Sequence, residues 1–265
     1  MRIFRAFFRM RFLLVAEYRM AMVIWMVGGF VSTLIAAVLW LISTPASGDL
    51  IGGMTQHQLI TYAWLSYLLA QLIGWYPFYD VQREIQEGLI SNYIIKPLGL
   101  WARRLGEEAA HHAIAVLLQL VGFVALSFIL REYLDFSADV GILIRVVPSL
   151  IFSILIIFGI QMCLGLIAFW VTDTGPLYAL FWIFLSLLGG EWIPNGLLPD
   201  IVKTINSLMP FRYTFGFPLD TLLNRITMTE WYWGIGMQLF WALAVFILFK
   251  IMWAHGLKKY SAVGG

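Results

Sequence analysis

Residues 146–190 read VVPSLIFSILIIFGIQMCLGLIAFWVTDTGPLYALFWIFLSLLGG, and Asp173 is the only charged residue among them. A membrane-crossing helix needs roughly 20 mostly apolar residues. The stretch 146–172 exceeds that length, and the turn VTDTGP then sends the chain back. Gly175-Pro176 is a helix-start signal, and the returning run closes on Gly189-Gly190. A helix from Leu177 to Gly190 rises only about 21 Å at roughly 1.5 Å per residue. This crossing is expected to stop short, inside the far leaflet.

The rest of the chain is punctuated in the same way. Charges are also absent from 20–48, 50–79, 109–130 and 231–249. Six spans are therefore expected, in an all-α integral membrane protein with one transmembrane domain over residues 1–265. Composition agrees, with 61% hydrophobic residues, 12% charged and a mean hydropathy of +0.84. Soluble domains run at about half apolar and a quarter charged. A net charge of +2 with scattered basic residues argues against a nucleic-acid partner. The single Cys163 sits in an apolar run, which excludes a disulfide framework and reads as an inert core or lipid-facing thiol. With the N-terminus placed in the cytoplasm, 12 of the 17 Lys and Arg fall on that side, so both termini are expected inside.

Three segments outside the spans carry a pattern of their own. In residues 1–18, Arg2, Arg5 and Arg9 share one helical face, with Ile3, Phe7, Met10 and Leu14 opposite. That is the signature of an interfacial amphipathic helix on an anionic membrane surface. The cytoplasmic segment 79–108 places Asp80, Glu84 and Glu87 at i, i+4, i+7, one polar face of a short helix next to Arg83. Gly88 stands where a C-terminal cap belongs. Lys96-Pro97 breaks the chain before a second expected short helix at 100–108. The external segment 191–230 holds Pro194, Pro199, Pro210 and Pro218, yet is too apolar for a water-exposed loop. Irregular backbone at membrane depth is tolerated only inside protein or along a water-filled cavity. Re-entrant half-helices are expected there, with an amphipathic surface lid as the open alternative.

Motifs for chemistry are missing. No GxxxxGK[ST], GxSxG or HExxH pattern occurs. His111 and His112 are adjacent, so they point about 100° apart on a helix and do not chelate one metal. They are expected at the membrane interface, as are His57 and His255 at other span ends. Glu191 follows Gly189-Gly190 and precedes Trp192 and Pro194, where the short fifth span ends. Carboxylates at membrane depth are costly and often functional, so this group is a candidate for the outward path or its gate. The alternatives are a cap on the next half-helix or simple contact with the outer interface. Asp173 reads as a cap in its cytoplasmic turn. Trp40, Trp75, Tyr76, Trp101, Trp231, Tyr232, Trp233 and Trp253 read as interfacial belts.

The layout resembles the ABC-2-type permeases of ATP-binding-cassette exporters, in particular their bacterial six-span branch of stand-alone permease subunits. The likeness rests on REIQEGLISNYIIKPL at 83–98, FWVTDTGPLYALFWIFLSLLGGEWIPNGLLPD at 169–200, LMPFRYTFGFP at 208–218 and GLKKYSAVGG at 256–265. The resemblance implies a type V exporter architecture: an N-terminal connecting helix, a cytoplasmic coupling helix and external re-entrant helices. It implies a subunit of the bacterial inner membrane that is not itself an enzyme and binds no cofactor. ATP and Mg would sit on a separate ABC ATPase dimer, coupled through Asp80, Arg83, Glu84, Glu87, Gly88, Lys96 and Pro97. A second permease copy, or a related one, would complete the path among the membrane lipids. The few charges and many Leu, Phe and Trp of the spans favour a hydrophobic or amphipathic substrate. A six-span secondary carrier or channel is the alternative, but the long gaps hold no intramembrane charges for a coupling ion.

Overall fold

A computed structural model describes residues 19–43, 50–90, 99–136 and 139–263. The N-terminal connecting segment 1–18 and the Lys96-Pro97 break lie outside the described residues. The described residues form nine α-helices with no strand beyond one isolated bridge, Ile51 to Met54. They are α1 (Arg19–Ser43), α2 (Gln56–Ile73), α3 (Phe78–Gln86), α4 (Leu100–Leu130), α5 (Val140–Leu166), α6 (Gly175–Leu188), α7 (Asp200–Asn206), α8 (Gly216–Leu222) and α9 (Met228–Val263).

Among the described residues, four helices are long and apolar enough to cross a membrane: Val23–Ser43, Leu100–Leu130, Val140–Phe169 and Met228–Tyr260. The other two charge-free gaps hold helices of a different kind. α6 has 14 residues, which gives about 21 Å of rise against a hydrocarbon core of roughly 30 Å. α2 has 18 residues and is less apolar, because it carries Gln, Thr, Ser and Tyr in the middle of the protein. Its polar groups find partners: Trp64 Nε1 donates to Ser127 Oγ at 3.0 Å, and Tyr67 Oη donates to Gln119 Oε1 at 2.7 Å. Leu59, Ile60, Tyr62, Leu65, Leu69 and Ile73 of α2 are fully buried. This helix is the axis around which α1, α4, α5 and α8 pack.

Local chemistry sets the helix ends. Thr55 and Gln58 form a reciprocal capping box at the start of α2, with both bonds at 3.2 Å. Thr227 and Glu230 do the same for α9, at 2.7 and 3.3 Å. Asp139 caps α5 by accepting from Ile142 N at 2.7 Å. The 36 residues of α9 extend about 54 Å, well beyond a bilayer core. The overhang returns to α3, where Tyr260 Oη donates to Gly88 O at 2.8 Å.

One expectation from the sequence is corrected here. The separate short helix at 100–108 does not exist, because those residues are the first turns of the continuous 31-residue α4. His112 is buried within the protein. Its ring nitrogens lie 2.7 Å from Gly74 O and 3.1 Å from Glu108 O, and its ring stacks on the buried Trp75 at 5.2 Å. Trp101 packs edge-on against Phe158 and Phe249, both at 4.9 Å. Cys163 is buried.

The approach of α3 to α5 is close enough to be tested. A methyl group at Gly165 would lie 2.8 Å from Val81 Cβ and 3.1 Å from Phe78 O, backbone and a β-branched side chain that have little room to yield. Gly165→Val is expected to lower stability by about 1–3 kcal/mol, the usual cost of overpacking. A depressed midpoint of thermal unfolding in detergent would show it.

Candidate functional site

The segment that the sequence marks for docking is organised by a buried set of charges. α3 has nine residues, too few to hold together alone in water. Its apolar side, Phe78, Val81 and Ile85, is buried. Val81 and Ile85 join Leu100, Phe158, Met162, Leu166, Phe169, Val245 and Phe249 in one cluster. Glu87 closes the helix, and Gly88 follows with φ +74°, a conformation that favours glycine. The chain then ends that turn on the buried Ile90.

The acidic side of α3 turns inward as well. Arg103 and Arg104 are adjacent on α4, and one carboxylate on each side reaches both of them. Glu84 accepts from Arg103 at 2.7 Å and from Arg104 at 2.8 Å. Glu107, one turn further along α4, accepts from the same two at 3.2 and 2.9 Å. Asp80 adds a contact of 2.9 Å to Arg104 and 3.1 Å to Arg83. The side chains of Glu84, Arg103, Arg104 and Glu107 are only 3–8% exposed. Ions this deep are costly to desolvate, and the cost is offset only when every partner is in place.

The expected docking face of Asp80, Glu84 and Glu87 is therefore corrected. Glu84 is buried and Asp80 is partly covered, so neither offers a carboxylate to a partner. The exposed stripe is Tyr79, Arg83 and Gln86, the same i, i+4, i+7 spacing shifted by one residue, with Glu87 exposed beside it. Gln86 also donates to Thr172 O at 2.6 Å, which ties α3 to the turn between α5 and α6. In that turn Asp173 Oδ1 accepts from Gly175 N at 3.0 Å, at the start of α6. Sequence reasoning missed Arg103, Arg104 and Glu107. Their concentration ahead of a long apolar run was the available signal, since charges in that place need partners.

The external candidates lie at the other end of α6. Gly189 O accepts from Phe215 N at 3.2 Å and from Gly216 N at 2.8 Å. Gly190 has φ +84°, and its carbonyl accepts from the Tyr62 hydroxyl. Its Cα side faces Gly216 so closely that a side chain would strike that backbone. Glu191 is half-buried, Trp192 exposed and Pro194 buried. The next two turns, Asn195–Leu197 and α7, begin at Pro194 and Pro199 and have no side-chain cap. An open cavity of about 350 Å³ on this side is lined by Gln58, Asp135, Phe136, Asp139, Ile142, Leu222, Leu223, Asn224 and Arg225. None of residues 189–194 lines it. Nearby, the buried Asp220 lies between Arg225 at 3.6 Å and Arg212 at 4.0 Å.

Residues 30–264 match the model of a family described as ABC-2 family transporter protein. No curated protein and no solved structure matches the chain.

Removing one member of the charged set leaves the others buried without a counter-ion. Glu84→Gln is expected to cost about 3 kcal/mol, at the lower end of what breaking a buried ion pair costs. Asp80→Asn is expected to cost clearly less, because its side chain is 30% exposed. Thermal unfolding of the two variants in detergent gives the comparison.

Proposed function

The chain belongs to the ABC-2 family of transporter proteins, and we propose that it is a permease subunit that exports a hydrophobic or amphipathic substrate. The energy comes from a separate ATPase that binds its cytoplasmic side. The observation that carries this reading is the presentation of α3. A nine-residue helix is fixed from behind by buried ion pairs and apolar packing, while Tyr79, Arg83 and Gln86 face outward. A helix so supported transmits force applied to its outer face instead of unravelling.

Further parts of the proposal follow from the family. Two permease copies, or this one and a related one, enclose the path in a bacterial inner membrane, and both termini are cytoplasmic. The chain crosses the membrane six times, with the short α6 as the fifth crossing. Segment 191–230 dips into the outer leaflet as re-entrant helices, which the complete burial of α8 supports. Residues 1–18 lie along the inner surface as the connecting helix. ATP and Mg are held by the partner. Glu191 stands at the outer exit, just past the end of α6. The substrate class is supported by the apolar character of the four long helices. The long gaps without a charge, 20–48, 50–79, 109–130, 146–172, 174–190 and 231–249, speak against an ion-coupled carrier.

Docking is tested by a change confined to the exposed stripe. Tyr79→Ala combined with Arg83→Glu is expected to abolish copurification of the cognate ATPase from detergent-solubilised membranes. The permease itself should retain its melting temperature and yield. ATPase recovery equal to that of the unaltered permease would contradict docking on this face.

A further inference from the structure

α3 grips two helices that run toward the external side. Val81 and Ile85 pack on α5, while Phe78 lies flat against Tyr178 of α6, with ring centroids 4.0 Å apart and planes 6° from parallel. The two helices are held differently. α5 is bound to α9 along its length: Gln238 Nε2 donates to Ser149 O at 3.1 Å and to Ser153 Oγ at 2.9 Å. Any shift of α5 must carry the 36-residue α9 with it. α6 is held over its span chiefly by ring contacts, Tyr178 with Phe78 and Tyr79 and Trp182 with Tyr76, and Tyr178 also lies beside Gln161 of α5. The buried side of α6 is one stripe, Tyr178, Phe181 and Leu185, and Leu177, Leu180, Ile183 and Leu187 on the other side are exposed.

The outer end of α6 is joined to the whole external segment. Phe181 and Phe184 place their rings 6.3 and 6.0 Å from Phe211. Leu188 O accepts from Asn206 of α7 at 2.9 Å. Gly189 O accepts from Phe215 N and Gly216 N at the start of α8. α6 is thus a stiff rod of about 21 Å, in contact with α3 at one end and with α7, α8 and Phe211 at the other.

We infer that Tyr178 is a positioning residue, the point at which displacement of α3 is handed to α6 and through it to the external segment. This rests on the reading that an ATPase docks on α3. Contiguity alone does not establish coupling, so the test measures the coupling itself.

The permease with its bound ATPase is reconstituted in liposomes with Ile201→Cys as reporter. Ile201 is exposed on α7, whereas Cys163 is buried and labels slowly. The rate of labelling by a membrane-impermeant maleimide is read from outside, with and without ATP. ATP is expected to change the rate several-fold in the otherwise unaltered protein. Tyr178→Leu is expected to remove that change while ATP hydrolysis continues, and Tyr178→Phe, which keeps the ring, to restore it. Should Tyr178→Leu not assemble, Phe181→Leu carries the same expectation one turn further out. An ATP-dependent change that persists in the leucine variants overturns the inference and assigns the transfer to α5. So does an unaltered complex that hydrolyses ATP without any change in labelling. An ATPase that fails to bind at all is a different result: it removes the docking reading and this inference with it.

Discussion

Two guanidinium groups held between two carboxylates, out of water, are the constraint on which the half of this protein around α3 depends. Arg103 and Arg104 come from α4, as does Glu107, but Glu84 comes from α3. The set is complete only when α3 lies in one position and one rotation against α4. Burial makes the arrangement exacting, because each ion deprived of its partners would be stranded in a medium that solvates it poorly. The net gain from such a set over an apolar one is small. Its effect is to specify geometry: a helix too short to be stable alone takes a single orientation, with Tyr79, Arg83 and Gln86 outward.

From that fixed helix the packing spreads outward in sequence. Apolar side chains seat it on α5, Gln86 ties it to the α5–α6 turn, Tyr260 reaches it from the end of α9, and Phe78 meets α6. The far side of the protein repeats the idea with different chemistry. There the end of α6 is joined to α7 and α8 through backbone carbonyls at Leu188 and Gly189, and to Tyr62 of α2 through that of Gly190. Close approach of Gly190 to Gly216 makes room for these bonds. The structure supplies a rigid attachment at each end and the short α6 between them.

Much of this was legible in the sequence, and the limits have physical causes. The long apolar helices, the short α6 and the turn around Asp173 follow from charge spacing and from Gly and Pro, which act locally. A short helix through Asp80, Glu84 and Glu87 with its cap at Gly88 was visible for the same reason. The facing of α3 was not. Its residues offer an acidic stripe and an exposed stripe one position apart, and nothing within nine residues says which is buried. That is decided by Arg103 and Arg104, some 20 residues away, through pairings that no i, i+4 rule describes. The same arginines explain why α4 is continuous, since charges that look like a solvated break become interior once paired. The burial of His112 was not legible either, because its partner Gly74 O lies at the end of another helix. At the far end of α6, glycine pairs and prolines signalled an irregular segment. The Tyr62 contact and the burial of Asp220 depend on tertiary neighbours that pattern alone does not reveal.

Amide hydrogen exchange across α3 tests the central claim most directly. If the buried charges and the apolar seat bind α3 to α4, the amides of residues 82–87 should exchange about as slowly as those of 103–107 in the isolated permease, as one cooperative unit. Exchange across α3 that is orders of magnitude faster than across the start of α4 would contradict the account, because α3 would then open on its own.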